Sequence, residues 1–440
     1  MTYNLFGTDG IRNTVGKPPF IQSDLIKLGH AIAQWILSTQ GPSTAILIAT
    51  DTRQSCDFIK ATLQSSLLQY PLIIYDAGIA PIGAVSKIIA GSRGWAFALV
   101  ISASHNPYYD NGIKIIRADS GKLSVQDEQE ISALFHQEES LQRYNSWGSQ
   151  QNFALLFNHY HQTLKNFFTD NFLTGMRIVL DCAYGACSFY APEIFRLFGA
   201  QVIPLHTHYN GTNINDQCGA VHPQALQRAV LENNADIGFA FDGDGDRVIT
   251  VNSEGIVKDG DDLLAMLTHH PTYMREQAVV ATSMSNQGLH DYLAQVGKQL
   301  IRTAVGDKYI VQELQKQNLL LGAEQSGHII VRDYSNSGDG IFAALRILQT
   351  IQITGNKNLT TFSKYPQLTI NIPVSHKKDL RQNPMQTYIQ AHEQQCKAGR
   401  LLVRYSGTEN VLRLMIEHPD EQQARIIINS LANVLHKELS

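Results

Sequence analysis

Hydrophobic and polar positions fall into two alternating patterns along most of the chain. Short continuous apolar runs predict buried strands at Ala45–Thr50, Leu72–Tyr75, Trp95–Ile101, Met176–Asp181, Gln201–Leu205, Asp236–Phe241, Ala278–Thr282 and Leu319–Gly322. Between them, apolar residues spaced three or four apart predict helices over Phe58–Leu68, Tyr190–Phe198 and Asp339–Ile351. This alternation predicts α/β domains with mainly parallel sheets. The last stretch differs. Gln367–Val374 alternates with period two, Pro384–Ala398 is helical, Leu401–Arg404 and Val411–Glu417 read as strands, and Glu421–Leu439 is a closing amphipathic helix. A small α+β domain is expected there.

One arrangement recurs. Ile48-Ala49-Thr50 runs into Asp51-Thr52-Arg53-Gln54-Ser55, Val179-Leu180-Asp181 into Cys182-Ala183-Tyr184-Gly185, and Val280-Ala281-Thr282 into Ser283-Met284-Ser285-Asn286. Each reads as strand, polar loop, helix, which fits either three related units or a connection common to all α/β chains. A chain of 440 residues exceeds the ~250–300 at which single cores stop growing, so several domains are expected. The polar segment Ser140–Gln151 suggests a first boundary. The domains expected are 1–150, 151–254, 255–365 and 366–440.

Composition narrows the function. With 43% hydrophobic and 17% charged residues the chain is an ordinary globular one, not a disordered one. A net charge of −4 without a Lys/Arg run argues against a nucleic-acid partner or an anionic membrane, and leaves room for a small anionic substrate held by a few local cations. No apolar run approaches the ~20 residues of a spanning helix, and Met1–Phe6 lacks a leader pattern, so a cytoplasmic location is expected. The five cysteines are odd in number and include no C-x-x-C pair, which predicts buried free thiols.

Four segments carry candidate chemistry. In the first, the strand ending at Ile101 gives way to Ser102-Ala103-Ser104-His105-Asn106-Pro107, then Asp110-Asn111-Gly112-Ile113-Lys114. Hydroxyls at the C-terminal end of a strand lie where α/β sheets bind ligands, and a nucleophilic serine needs that setting. No G-x-S-x-G elbow surrounds Ser104, which disfavours a hydrolase triad. In the second, Asp242, Asp244 and Asp246 alternate with glycines and precede Arg247. Such a density of like charge repels itself unless a cation neutralises it, and oxygen-only ligands suit Mg²⁺ or Ca²⁺. An EF-hand is excluded, because its sixth position would be Arg247 and its twelfth Ser253. Three carboxylates leave places open on a six-coordinate ion, so a phosphorylated Ser104 is an attractive further ligand. The third segment, Ala323-Glu324-Gln325-Ser326-Gly327-His328, would set Glu324 and Ser326 on one side of an extended chain, able to hold vicinal sugar hydroxyls. The fourth, Arg404-Tyr405-Ser406-Gly407-Thr408-Glu409-Asn410, has the guanidinium, hydroxyls and backbone N–H groups of a phosphate cradle. Taken singly, the four also read as a turn, a solvated acidic turn, a helix cap and a plain connecting loop.

Together and in this order, with Phe6-Gly7-Thr8-Asp9-Gly10-Ile11-Arg12 at the start, the segments resemble the α-D-phosphohexomutase superfamily from about residue 4 to 436. The likeness is greatest to its bacterial glucosamine-phosphate branch, through Ile101–Lys114, Asn213-Ile214-Asn215 with Cys218-Gly219, Val305-Gly306-Asp307-Lys308, Glu324–Ile330 and Ser337–Ile341. The resemblance implies three related α/β domains and a C-terminal α+β domain around a central cleft. It implies phosphoryl transfer between O6 and O1 of glucosamine phosphate through a phosphorylated Ser104 and a 1,6-bisphosphate. It further implies Mg²⁺ on Ser104, Asp242, Asp244 and Asp246. Arg247 would lie beside the transferring group, and His105, Lys114 and Arg12 would line the site. Glu324 and Ser326 would grip the sugar, with His328 near the reacting end. Arg404, Ser406, Gly407 and Thr408 would hold the other phosphate. Oligomeric state stays open, a homodimer included. Asn13, Ala80–Gly83, Ala323 and Asn410 depart from the superfamily pattern without removing an implied ligand. Two alternatives stand beside this reading. One is a mutase for glucose or mannose phosphates. The other is a non-catalytic sugar-phosphate-binding protein, which would usually have lost Ser104 or an aspartate.

Overall fold

The apolar runs become the centres of three mixed sheets in the computed structural model, which describes residues 5–7, 9–91, 94–119, 121–137, 146–406 and 410–439. The first sheet contains β1 (Ile11–Thr14), β2 (Thr44–Thr50), β3 (Leu72–Ile79), β4 (Trp95–Ile101), β5 (Asp110–Arg117) and β6 (Ser149–Asn152). The second contains β7 (Arg177–Asp181), β8 (Gln201–Leu205), β9 (Ile237–Phe241), β10 (Val248–Asn252) and β11 (Val257–Lys258). The third contains β12 (Ala278–Thr282), β13 (Gln299–Thr303), β14 (Leu321–Ala323) and β15 (Ile329–Val331). One strand order repeats in all three: β3-β2-β4-β5, β8-β7-β9-β10 and β13-β12-β14-β15. The pairs β2/β4, β7/β9 and β12/β14 are parallel, whereas β5, β10 and β15 run antiparallel to their neighbours β4, β9 and β14. The three recurring strand–loop–helix segments begin on β2, β7 and β12, the same place in each order. They therefore mark related units.

The chain forms two compact units, one of residues 1–284 and 301–360, the other of 285–300 and 361–440. In the larger unit, the helices Gln22–Gln40, Cys56–Leu67 and Val125–His136 supply apolar side chains to the core beside the first sheet. Trp35 is fully buried there with its ring 4.7 Å from that of Phe97. Burying a large apolar side chain contributes roughly 1.5–3 kcal/mol, and this face buries many. In the smaller unit, β16 (Gln367–Pro373), β17 (Arg400–Tyr405) and β18 (Val411–Glu417) form an antiparallel sheet in the order β16-β18-β17, backed by the helices Met385–Gln395 and Glu421–Leu439. The helix Gln287–Gln295 packs in this unit, where Gln287 N–H donates to the buried Glu417 carboxylate (2.8 Å). All five cysteines are buried and free. No helix among the described residues is long and apolar enough to cross a membrane.

Asp339 ties several elements of the larger unit together. It caps the helix Gly340–Thr354 by accepting from Phe342 N–H (3.0 Å), and it accepts from the buried hydroxyls of Tyr160 (2.9 Å) and Tyr334 (2.8 Å). Asp339→Ala removes the cap and strands two tyrosyl hydroxyls. It is expected to lower stability by about 3 kcal/mol or more, read as a fall in the urea unfolding midpoint. Asp339→Asn keeps an acceptor and is expected to cost less.

Candidate active site

Each repeated sheet carries its candidate residues on the same connection, the turn into its antiparallel strand. The β4–β5 turn holds Ser104, the β9–β10 turn holds Asp242, Asp244 and Asp246, and the β14–β15 turn leads from Glu324 to His328. Ser104 is buried and takes a φ of 53°, in the left-handed region that a serine seldom occupies. Its N–H donates to Ser102 Oγ (2.9 Å) and its own Oγ donates to Asp242 Oδ2 (2.6 Å). His105 Nδ1 lies 3.2 Å from the same Oγ. The two turns touch because Gly243 has no side chain: a Cβ there would stand 2.4 Å from the carbonyl oxygen of Ser104. Gly327 does the same for the third turn. Its φ is +91° and a Cβ would meet the Val248 carbonyl at 2.3 Å.

The three aspartates are all buried, with ligand oxygens within 4.8 Å of one another. Burial and the charge of Asp246 push the Asp242 and Asp244 carboxyls up. Burial acts the same way on Asp246, but Lys114 and His328 overcome it and hold that carboxyl well below the usual range. Lys114, on β5, reaches Asp244 Oδ2 (2.9 Å), Asp246 Oδ2 (3.0 Å) and Asp9 Oδ2 (3.0 Å). Burial opposes its charge, yet these carboxylates raise its pKa well above the lysine value.

Six charges close into a ring of alternating sign. Lys114 joins Asp246, whose Oδ1 lies 3.6 Å from His328 Nδ1, and His328 Nε2 lies 3.4 Å from Asp307 Oδ2. Asp307 pairs with Lys122, Lys122 with Asp9 (3.2 Å), and Asp9 with Lys114. Burial disfavours charge on His328, but Asp246 and Asp307 prevail and raise it to about 9, so it is cationic at neutral pH. His105 goes the other way. Burial together with Arg247 and Arg12 lowers it to about 4, so its imidazole is neutral.

The other expected residues fall as follows. Arg12, on β1, pairs with Asp9 and points Nη1 at the Ala103 carbonyl (3.5 Å). Arg247 N–H donates to Asp242 Oδ1 (3.1 Å), and its Nε lies 3.9 Å from Asp246 Oδ1. The Glu324–Gly327 segment is a turn, not an extended run, because Gly327 N–H bonds back to the Glu324 carbonyl (3.0 Å). Glu324 and Ser326 still meet, at 3.4 Å. Arg404, at the end of β17, and Ser406 belong to the smaller unit, where Ser406 N–H donates to Val411 O (2.8 Å). Gly407 and Thr408 lie outside the described residues. Sequence reasoning gave no role to Asp9, Lys122 or Asp307. Asp9 and Asp307 stand inside the quoted stretches Phe6–Arg12 and Val305–Lys308, whereas nothing around Lys122 sets it apart.

A divalent cation fits the aspartate trio. The donors are all oxygen, and Asp244 Oδ1 is buried without a hydrogen-bond partner among the described residues. A second cluster, Asp181, His206 and Cys218, is spatially compact but saturated. Asp181 accepts from His206 Nδ1 (2.9 Å), Ala183 N–H (3.0 Å) and Gly219 N–H (3.0 Å), which makes it a hydrogen-bond hub.

Comparison with known proteins gives a concordant picture. Four models of the phosphoglucomutase/phosphomannomutase family match in series: alpha/beta/alpha domain I over residues 3–142, domain II over 158–255, domain III over 259–367 and the C-terminal domain over 370–434. A phosphoglucosamine mutase of Nitratiruptor sp. is 38% identical, covering 99% of this chain and 100% of the relative. One from Protochlamydia amoebophila is 37% identical over 99% and 98%. A phosphoglucomutase/phosphomannomutase family protein from Burkholderia thailandensis shares the fold, with TM-score 0.80 and 20% identity over 99% of this chain and 98% of that one. So does an Aspergillus fumigatus N-acetylphosphoglucosamine mutase solved with GlcNAc-6P and magnesium, with TM-score 0.67 and 15% identity over 99% and 96%.

Because burial and its neighbours push the Asp244 carboxyl up, its ionised form weakens the metal-free fold near neutral pH. Asp244→Asn is therefore expected to melt no lower than the parent without metal. The parent should gain about 2.7 kcal/mol at a Mg²⁺ concentration of roughly 100 times Kd, and the variant should lose most of that gain. Thermal melts with and without Mg²⁺ read both effects.

Proposed function

The chain belongs to the phosphoglucosamine mutases of the α-D-phosphohexomutase superfamily, and from that premise we propose that it interconverts glucosamine 6-phosphate and glucosamine 1-phosphate through a phosphoryl group carried on Ser104. The observation that carries this reading is the Ser104 hydroxyl placed 2.6 Å from Asp242, at the edge of a buried carboxylate trio. In the first half-reaction the Ser104 Oγ–P bond breaks as a bond forms from phosphorus to the free sugar hydroxyl, whose proton leaves to a group within hydrogen-bond reach. The resulting 1,6-bisphosphate turns around. Its other phosphoryl group then returns to Ser104 Oγ, so no water is consumed.

The residues divide the work. Lys114 and His328, both cationic at neutral pH, meet the phosphoryl oxygens together with Arg12 and Arg247. His105 stands beside the seryl oxygen as a neutral imidazole. Mg²⁺ bound by Asp242, Asp244, Asp246 and the phosphoserine would draw negative charge from the transferring group. Glu324 and Ser326 hold sugar hydroxyls. Arg404, Ser406, Gly407 and Thr408 hold the phosphate that does not react. In this reading residues 1–150 carry the nucleophile, 151–254 the metal loop, 255–365 the sugar loop and 366–440 the phosphate loop. Five buried free thiols suit a reducing compartment, and the reading places the enzyme in the cytoplasm.

Intact-mass measurement of the purified protein is expected to find a fraction carrying one phosphoryl group. Ser104→Ala is expected to lose both that mass and turnover, and full activity in this variant would overturn the mechanism. On substrate, a coupled assay is expected to give a higher kcat/KM for glucosamine 6-phosphate than for glucose or mannose 6-phosphate. The reverse order would move the chain to another branch of the superfamily.

A further inference from the structure

Arg53 lies in the polar loop after β2, in a segment the mechanism leaves unused. Its side chain is fully buried and all five of its N–H donors are engaged. Nε donates to Asp51 Oδ2 (2.8 Å). The other four reach carbonyl oxygens of the serine turn alone: Nη2 to Ser104 (2.9 Å) and Asn106 (2.8 Å), and Nη1 to Asp110 (3.0 Å) and, by a shorter contact, Pro107. Asp51 grips the same turn from its other side by accepting from Ser102 Oγ (2.6 Å), which in turn accepts from Ser104 N–H (2.9 Å).

A second donor arrives from the second repeat. Asn215 Nδ2 donates to the Ser104 carbonyl (2.9 Å) and the Asn106 carbonyl (3.0 Å), two of the oxygens that Arg53 also holds. The residue that must present its hydroxyl to Asp242 therefore has its carbonyl bonded from both sides, while its backbone is in the left-handed conformation. Carbonyls that converge on one point repel one another, and a turn holding a left-handed serine relaxes unless its surroundings over-determine it. One guanidinium with four donors in a fixed plane removes that repulsion. A lysine, with three donors on a flexible stem, does not.

We propose that Arg53 and Asn215 are positioning residues for the phosphoryl-carrying serine: they clamp the Ser104 and Asn106 carbonyls and so fix where Oγ stands relative to the aspartate trio. This rests on Ser104 being the phosphoryl carrier. The clamp's side-chain hydrogen bonds go to Asp51 and to carbonyls of the serine turn, so its loss is expected to show in kcat more than in KM.

The test uses the full chain with Asn215→Ala, Asn215→Asp and Arg53→Lys, assayed with glucosamine 6-phosphate. Asn215→Asp keeps the shape of the side chain and removes its N–H donors, so a mere packing role predicts little change. Both Asn215 variants are expected to melt within a few degrees of the parent and to hold KM within about twofold. Their kcat should fall by about 10-fold or more, with Asp at least as damaging as Ala, because a misplacement of ~1 Å at a reacting group costs up to ~100-fold. Arg53→Lys is expected to fall further. Should it fail to fold, the Asn215 pair decides alone. Asn215→Asp turning over at the parental rate, or losing activity only through KM or melting temperature, overturns the proposal. Phosphoryl occupancy of parental Ser104 separates the two claims. An unphosphorylated parent with an active Ser104→Ala variant removes the carrier itself, whereas a phosphorylated parent with an unimpaired Asn215→Asp removes only the clamp.

Discussion

Three carboxylates buried side by side at the end of β9 constrain everything around them. Two unit charges 4 Å apart interact by about 4 kcal/mol at an effective dielectric of 20, so a bare trio would not stay ionised inside a protein. The fold answers unevenly. Asp246 joins a ring in which three cations alternate with three anions, and its carboxyl is held down. For Asp242 and Asp244, burial and the charge of Asp246 outweigh the nearby cations, Lys114 on Asp244 included, and their carboxyls are pushed up. Ser104 Oγ lies against Asp242 there, and Asp244 Oδ1 has no hydrogen-bond partner among the described residues. That is an electrostatic setting that favours a divalent cation, and it would accept an anionic phosphoryl group only together with one.

The repeated sheet explains how such a cluster is assembled. In a parallel βαβ crossover, a long connection separates a strand's end from the next strand, and the loop is anchored at one side only. In each repeat here, the third strand in the spatial order instead turns directly into an antiparallel neighbour, so the turn is pinned by ladder hydrogen bonds on both sides. Three copies of that turn hold Ser104, the aspartate trio and the Glu324–His328 segment, to which the proposed function assigns the nucleophile, the metal ligands and the sugar contacts. Their close approach depends on glycines at contact points, as Gly243 against the Ser104 carbonyl shows.

The central strands β2, β4, β7, β9, β12 and β14 and the four motifs were legible because each leaves a local signal, whereas the polar edge strands β6 and β13 were not read, β6 falling at the end of the segment taken as a boundary. β9 is a fully buried run, Ile237–Phe241, followed at once by alternating Asp and Gly. The antiparallel strands β5, β10 and β15 that close the three repeats were not legible, unlike β16, β17 and β18 of the smaller unit, which the pattern announced. β15 has three residues, too few to show a period, and β5 opens on Asp110-Asn111-Gly112, which reads as loop. The ring was hidden for a different reason. Lys122 and Asp307 are ordinary charged residues in sequence, and their partnership exists only after two units of the repeat meet. The expected extended Glu324–Ser326 segment failed because a backbone hydrogen bond from Gly327 closes it into a turn. The side-chain meeting it was meant to explain survives by another geometry.

In the proposed clamp, Arg53 is remote from the chemistry and yet dictated by it. A serine that must donate and receive a phosphoryl group has to return its oxygen to one place in every cycle, and side-chain packing alone cannot hold a small hydroxyl there. Holding the peptide oxygens on either side of its backbone can. The donor that reaches them from the first repeat is the buried Arg53, and a buried charge persists only when it is paired and its hydrogen bonds are satisfied. Asp51 supplies the paired charge and the turn supplies the remaining acceptors. The requirement to fix one hydroxyl thus propagates back through a peptide group to a guanidinium, and from there to the acidic residue that follows β2.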